Sequence, residues 1–281
     1  VIYLLTVNYN SSNLVAKLID SLSVDPNVDY KIVIINNSPK DNYISQLKSE
    51  SVTILEAGEN LGFGLACNLG IKWVFERNPQ AIIWLINPDA YFLENNLDKV
   101  QDFFEKYPQI SILGTIVRDP KGEIWFSGGR FIPQTGAILT EDLLKNTDSA
   151  YIPCDWISGC SLIIYLKNFP DCPYFDPAYF LYYEDFDFCR RYVNQGHLIA
   201  ITKEFGIIHQ PSSITNRNIF RKIKHSTYSY LLTQERYTNN IILTMRLSRI
   251  IIYALLLIFF RPKLSLGKFI GVSNYLFGKK L

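Results

Sequence analysis

A chain of 281 residues, 48% of them hydrophobic and 14% aromatic, is long enough to bury one large core and too apolar to be disordered. Its formal net charge is only +2, yet from Asn216 onward 12 Lys/Arg face the single acid Glu235, leaving 16 basic and 25 acidic residues before that point. The two parts therefore meet different partners. Five cysteines, Cys67, Cys154, Cys160, Cys172 and Cys189, form no C-x-x-C pair, which argues against a disulfide framework or a structural zinc site and suits a reduced, cytoplasmic setting.

The opening "VIYLLTVNYN" carries an apolar run too short for a signal core and has no basic leader, so it reads as a first strand, Ile2 to Val7. Lys31 to Ile35, Val52 to Leu55 and Ile82 to Ile86 are further short apolar runs of the kind buried in parallel sheets. Between the first two, Leu14, Val15, Leu18, Ile19 and Leu22 follow helical spacing, with Ser11, Ser12 or Asn13 as N-cap. After "NLGFG" a second helix is predicted with Ala66, Leu69, Trp73 and Val74 on one face. This βαβαβ order implies an α/β, doubly wound sheet that takes ligands at the carboxyl ends of its strands.

Polar residues cluster at those ends: Thr6, Asn8 and Asn10; Asn36, Asn37 and Ser38; Asn87, Pro88 and Asp89. Asn and Ser are ordinary turn formers, but three strand ends together suit a nucleotide. Neither a G-x-G-x-x-G nor a P-loop pattern is present, which argues against a dinucleotide dehydrogenase and a P-loop enzyme. Farther on, Glu123 to Phe126, "SGGR" and "DWISGCSLIIYL" read as strand, turn and strand. A helix is predicted from about Glu184 to Gln195, closed by Gly196, and "LIAITKEFGIIH" as two short strands. The three acids Glu184, Asp185 and Asp187 stand in "FDPAYFLYYEDFDFCRR", where aromatic neighbours make a solvated helix turn a poor explanation for them.

"TVNYNS", "NLGFGLACNLGI", "INPDA", "WISGCSLII" and "FDPAYFLYYEDFDFCRR", in this order, resemble glycosyltransferase family 2, and within it the bacterial rhamnosyltransferase-like members that build surface polysaccharides. The resemblance spans Ile2 to His209. It implies a GT-A fold with a Rossmann-like mixed sheet, inversion at the anomeric carbon, a divalent metal (Mn²⁺ or Mg²⁺), and a nucleotide-diphosphate sugar as donor. Of the donors, dTDP-rhamnose is favoured over a UDP-sugar; the acceptor implied is a glycan or a polyprenyl-diphosphate-linked glycan. Residues 1–213 would form the catalytic domain, with 1–115 as its nucleotide-sugar half and 116–213 as its acceptor half.

By the same resemblance Asp185 is the catalytic base and Glu184 positions acceptor or loop, while Asp187 caps the helix or pairs with Arg190 or Arg191. Asp89 is the metal ligand, with Asn87 where the family usually has a second acid, and His209 as a further ligand or a structural histidine. Thr6 and Asn8 flank the base, and Asn36 stands where relatives commonly carry an Asp that reads the pyrimidine. Asn60, Gly62 and Asn68 fall near ribose and diphosphate, and Trp156, Ser158 and Gly159 near the acceptor or donor sugar, with a core role for Trp156 as the alternative.

The tail, 214–281, holds an apolar run from Ile250 to Phe260 bracketed by Arg249, Arg261 and Lys263. Apolar residues flanked by cations suit a helix lying on an anionic membrane, which would place the protein at the inner face of the cell membrane. Packing on the catalytic domain or in a homodimer is the other expectation, and nucleic acid fits poorly because the basic region is too apolar and has no binding motif. Two further functions compete with transfer. One is a noncatalytic nucleotide-sugar-binding or scaffold protein, since Asn36 and Asn87 replace acids; the other, a nucleotidyltransferase, would need a Gly-rich, Lys-containing loop where "NYNSSN" stands.

Overall fold

The computed structural model describes residues 1–22, 28–92, 97–210 and 218–278. The first half alternates as read: β1 (Ile2–Asn8), α1 (Ser12–Asp20), β2 (Tyr30–Asn36), β3 (Val52–Glu56), α2 (Phe63–Phe75) and β4 (Ile82–Ile86). Every residue of β1 and of β4 is buried, as in a sheet covered on both faces. There follow β5 (Ala90–Tyr91), α3 (Leu97–Lys106), β6 (Ile110–Arg118), β7 (Ile124–Phe126), β8 (Gly129–Ile132), β9 (Ala137–Thr140), β10 (Tyr151–Pro153), β11 (Ser161–Tyr165), α4 (Glu184–Asn194) and β12 (Leu198–His209). Three helices close the chain: α5 (Ile219–Tyr237), α6 (Asn240–Phe260) and α7 (Pro262–Leu276).

One ten-stranded mixed sheet runs β10-β12-β6-β11-β4-β1-β2-β3, with β5 added to β12 and β7 to β6. β3, β2, β1 and β4 are mutually parallel, and β11 lies antiparallel between β4 and β6. Strand order reverses direction around β1, so the ends of β1, β2 and β4 converge on one crevice.

Three expectations are corrected here. α2 turns Ala66, Cys67, Gly70, Ile71 and Val74 inward and leaves Leu69 exposed, because small residues let the helix sit closer to the sheet. A Cβ on Gly70 would fall 2.3 Å from the Leu5 Cδ1. The segment "LIAITKEFGIIH" is a single strand rather than two, and its register on β6 slips between Thr202 and Gly206. "SGGR" is not simply a turn: Gly129 and Arg130 begin β8 of a separate two-stranded hairpin, and Asp155 and Trp156 lie outside the named strands.

α5 is bound to the body of the protein. Thr233 donates to the Tyr179 hydroxyl, Ser229 to the Leu181 carbonyl and Gln234 to the Gly136 carbonyl. Its Arg236 meets Asp176 at 2.8 Å and Asp187 at 3.0 Å. α6 differs. It is 21 residues long, long and apolar enough by length and composition to cross a membrane, and only 11% of its most apolar window is buried.

Candidate active site

At the end of β1 the parallel register sets Asn8 beside Asn36, and the Asn8 amide donates to Asn36 Oδ1 and to Asp41 Oδ2, both at 3.1 Å. The Ser11 N–H and hydroxyl both donate to Asn8 Oδ1 at 3.0 Å. Ser11 is therefore the N-cap residue of α1, yet its side chain serves Asn8 and makes no cap hydrogen bond. Asn36 in turn donates to Glu56 Oε2 at 2.9 Å, one strand farther out. Thr6 does not join this network: it is buried within β1, and among the described residues its hydroxyl has no hydrogen-bond partner.

The β2–α1 crevice continues into the loop before α2. Asn37 donates to Asn60 Oδ1 and the Gly62 carbonyl and accepts from the Leu61 N–H, which fixes the loop's path. Gly62 has φ +83°, and a Cβ there would lie 2.1 Å from the Phe180 carbonyl oxygen, so this approach needs glycine. Phe63 N–H donates to that same carbonyl. Asn68 exchanges two hydrogen bonds with the backbone of Phe175, at 2.7 and 2.8 Å, and is thus a clamp on the loop before α4 where a ribose or diphosphate contact was expected.

Asp89 and His209 come together because β5 pairs with the end of β12, setting Ala90 opposite His209. His209 Nε2 lies 3.1 Å from Asp89 Oδ1, with both residues buried. Two neighbouring ligands about 2.1 Å from an octahedral ion stand about 3 Å apart, so the spacing fits a shared cation. A carboxylate with an imidazole suits Mn²⁺. Among the described residues no group of three His, Cys, Asp or Glu is placed to hold a metal, so the remaining positions would fall to diphosphate and water. Asn87 does not enter the pair; its N–H donates to the Cys160 carbonyl and its carbonyl closes the turn onto Ala90.

That hydrogen bond leads to the third cluster. Gly159 N–H donates to Asp185 Oδ2 at 2.9 Å, and Phe186 N–H to Asp185 Oδ1 at 2.8 Å. A Cβ on Gly159 would sit 3.0 Å from the Phe63 ring. Ser158 accepts from the Cys160 N–H and completes the turn. The Cys160 carbonyl accepts from the Asn87 N–H, so the turn that holds Asp185 also holds the loop that carries Asp89; burial, then the charges of Asp89 and Asp185, pushes the Cys160 thiol up.

α4 begins after Tyr182 and Tyr183, whose φ values of +69° and +64° place two tyrosines in left-handed backbone. Such strain collects where a site dictates the chain's path. Glu184 is buried, and among the described residues its Oε2 has no partner; burial, then the Asp185 charge, pushes its carboxyl well above the usual range. Asp185 is partly accessible, and burial raises it too, against the lowering effect of the Gly159 and Phe186 N–H groups. Asp187 is fully buried among Arg191 at 2.7 Å, Arg236 at 3.0 Å and the Tyr237 hydroxyl at 2.9 Å. Its pairing with Arg191 is as expected, whereas Arg190 binds Asp155.

The model of glycosyl transferase family 2 matches residues 3–163, a span that holds the asparagine network, Asp89 and the Gly159 turn, while Asp185 and His209 follow it. The chain belongs to glycosyltransferase family 2. It is 24% identical over 266 residues to the N-acetylglucosaminyl-diphospho-decaprenol L-rhamnosyltransferase of Mycobacterium tuberculosis, covering 85% of each chain. It is also 24% identical over 255 residues to the rhamnosyltransferase WbbL of Escherichia coli, covering 85% of this chain and 95% of that one. The solved structure of GalNAc-T7 with UDP, GalNAc and Mn²⁺ shares the fold at TM-score 0.59 and 14% identity, over 81% of this chain and 47% of that one. The fold is GT-A.

Within this family 2 site, Trp156 takes the alternative, inward role: its ring packs against Phe126 and Phe186 and its indole N–H donates to the Leu139 carbonyl. Sequence reasoning missed Glu56 and Asp41, which ring the asparagines, and Arg236, which holds Asp187 from α5. It also missed Trp125, whose ring meets His209 edge-on at 4.7 Å. Acids at a strand end and after "NSPK" were visible signals; nothing near Trp125 or Arg236 in the sequence announces their partners.

Proposed function

We propose that the chain is a metal-dependent, inverting glycosyltransferase that moves a sugar, rhamnose favoured, from a nucleotide-diphosphate donor to a hydroxyl of a glycan or polyprenyl-diphosphate-linked acceptor in surface polysaccharide synthesis. The observation that carries this is the disposition of Asp185: partly accessible, aimed by two backbone N–H groups, and held by the Gly159–Cys160 turn whose Cys160 carbonyl also accepts from Asn87 in the loop that carries Asp89. dTDP-rhamnose is the favoured donor and a UDP-sugar the other, in keeping with the rhamnosyltransferase relatives and with the UDP in the GalNAc-T7 structure.

Asp89 and His209 would hold the divalent ion, which when bound neutralises charge on the departing diphosphate. Asp185 takes the acceptor hydroxyl's proton as that oxygen attacks the anomeric carbon. Burial brings its pKa up toward the working pH and so makes it a better base, while the Gly159 N–H keeps the carboxylate oriented. Glu184, favoured in its neutral form by burial and by Asp185, leaves the charge of Asp185 at the start of α4, where the helix dipole supports it and where Asp187 is balanced by Arg191 and Arg236.

The basic tail supports association with the inner face of the membrane, where a lipid-linked acceptor would be found. α6 exposes Ile252, Leu255, Leu256, Phe259 and Phe260, and Arg249, Arg261 and Lys263 flank them. The test of the whole reading is release of nucleoside diphosphate from a panel of dTDP- and UDP-sugars, with a lipid-diphosphate-linked sugar as acceptor, in Mn²⁺, in Mg²⁺ and in chelator. Metal-dependent transfer from one donor is expected. Full turnover in excess chelator would remove the metal from the reading, and donor binding without turnover across the panel would favour the noncatalytic protein.

A further inference from the structure

The residue that presents an aromatic face beside the candidate metal pair is Trp125. It stands on β7, which pairs with β6 through Val117 and Phe126, while β6 also pairs with β12 up to Ile208. The adjoining strands β7, β6 and β12 thus deliver Trp125 and His209 to one corner of the sheet, and β5, paired with β12, brings Asp89, the residue before it, to the same corner. The next residue, Phe126, is buried and fills the space beneath against Trp156, whereas Trp125 keeps 40% of its surface in water.

The two rings meet at 68° between planes, and this contact leaves part of the indole exposed. An exposed aromatic ring beside His209, which itself pairs with Asp89, suits a ligand with an apolar C–H face and polar groups around its edge, which describes a pyranose ring. We propose that Trp125 is a sugar-stacking residue of this site. The inference rests on the transferase reading for the sugar's identity, and the ring it takes belongs either to the donor's glycosyl group or to the acceptor's terminal sugar.

Full-length Trp125→Ala and Trp125→Phe, checked for native circular dichroism, separate the two sources. With Mn²⁺ present, a donor role predicts that Trp125→Ala weakens binding of the nucleotide sugar by roughly five- to tenfold while the nucleoside diphosphate alone binds as in the wild type. An acceptor role predicts a rise of the same size in acceptor KM with donor affinity unchanged. Trp125→Phe should keep most of the affinity in either case, and should lose a fluorescence change that the wild type shows on saturation with methyl rhamnoside or methyl glucoside. The proposal is overturned if nucleotide-sugar affinity and acceptor KM both stay within twofold in Trp125→Ala. It is equally overturned if the nucleoside diphosphate alone weakens as much as the nucleotide sugar, since Trp125 would then only shape His209. A wild type that binds no nucleotide sugar sinks the transferase reading, and the glycoside fluorescence then decides Trp125 by itself.

Discussion

Glu184 and Asp185 are neighbours in the chain and opposites in their surroundings. Successive side chains at a helix start diverge, so Glu184 is buried with its Cβ beside Gly64 while the Asp185 carboxyl reaches the Gly159 turn and the residue remains partly accessible. Asp185→Asn is expected to lower turnover by about 10²- to 10⁴-fold with donor affinity within a few fold, because the group acts on the acceptor's proton. Steady-state rates and donor titration on one preparation check this; near-normal turnover would move the role to Glu184. Since Asp185, as the proposed base, works deprotonated and burial raises it, the wild-type rate should fall with decreasing pH at a point above the usual aspartate value. Glu184 gives a different pH signature. An acid whose folded pKa lies above its unfolded one contributes stability that is complete at low pH and lost as pH rises between the two values. Glu184 is raised, so wild-type Tm should decline relative to Glu184→Gln as pH rises above the ordinary carboxylate range. Parallel melting curves of the two proteins would refute this if they kept a constant offset.

At the scale of elements, the decisive positions are those where one segment touches another through backbone. Gly62 joins the start of α2 to Phe180, and Gly62→Ala should cost about 2 kcal/mol or more, from the left-handed φ and from displacing the Phe180 carbonyl. Urea denaturation measures that cost, and donor affinity should fall with it; an unaltered midpoint would mean the loop yields freely. β1 to β4 were legible because each is a short, continuous apolar run, and α4 because Gly196 ends its pattern with φ +91°. α3 and β6 were left unassigned by the sequence reading, although Leu97, Val100, Phe103 and Phe104 do follow helical spacing on the buried side of α3. β12 was read as two strands because Lys203 and Glu204 interrupt its apolar pattern; the structure absorbs them in a register slip. The nearness of Asp89 to His209, 3.1 Å apart, could be anticipated since their motifs state a shared chemistry. The packing and backbone contacts of Thr6, Asn68 and Trp156 could not, because a polar or aromatic residue in a motif looks the same whether it faces the cleft or ties down the backbone.

For the molecule as a whole, charge and apolar surface are both displaced toward the tail. Phe259 and Phe260 are 86% and 84% exposed, and moving each into a bilayer interface would gain about 2–3 kcal/mol. Each nearby cation adds about 1 kcal/mol at an anionic surface. The full-length protein should therefore sediment with anionic vesicles, more weakly in high salt, and Phe259→Asp with Phe260→Asp should release it without changing its melting temperature. A double variant that still sediments would assign the binding to another surface, and a soluble wild type would leave α6 to a protein partner. α5 falls outside this contrast. It belongs to the body of the protein through Arg236 and Asp187, so any tether formed by α6 is carried on a helix already fastened to the first turn of α4.

The pairing of Asp89 with His209 also sets when the site can come into being. The two residues are 120 positions apart, and β12 must be laid against both β6 and β5 before they meet. During synthesis the N-terminal strands emerge first and can collapse on one another well before His209 has been made. A nascent chain can therefore hold the asparagine network at the ends of β1 and β2 while it still lacks half of the proposed cation site. Nucleotide affinity would ripen in two stages on the ribosome, and metal would arrive with the second.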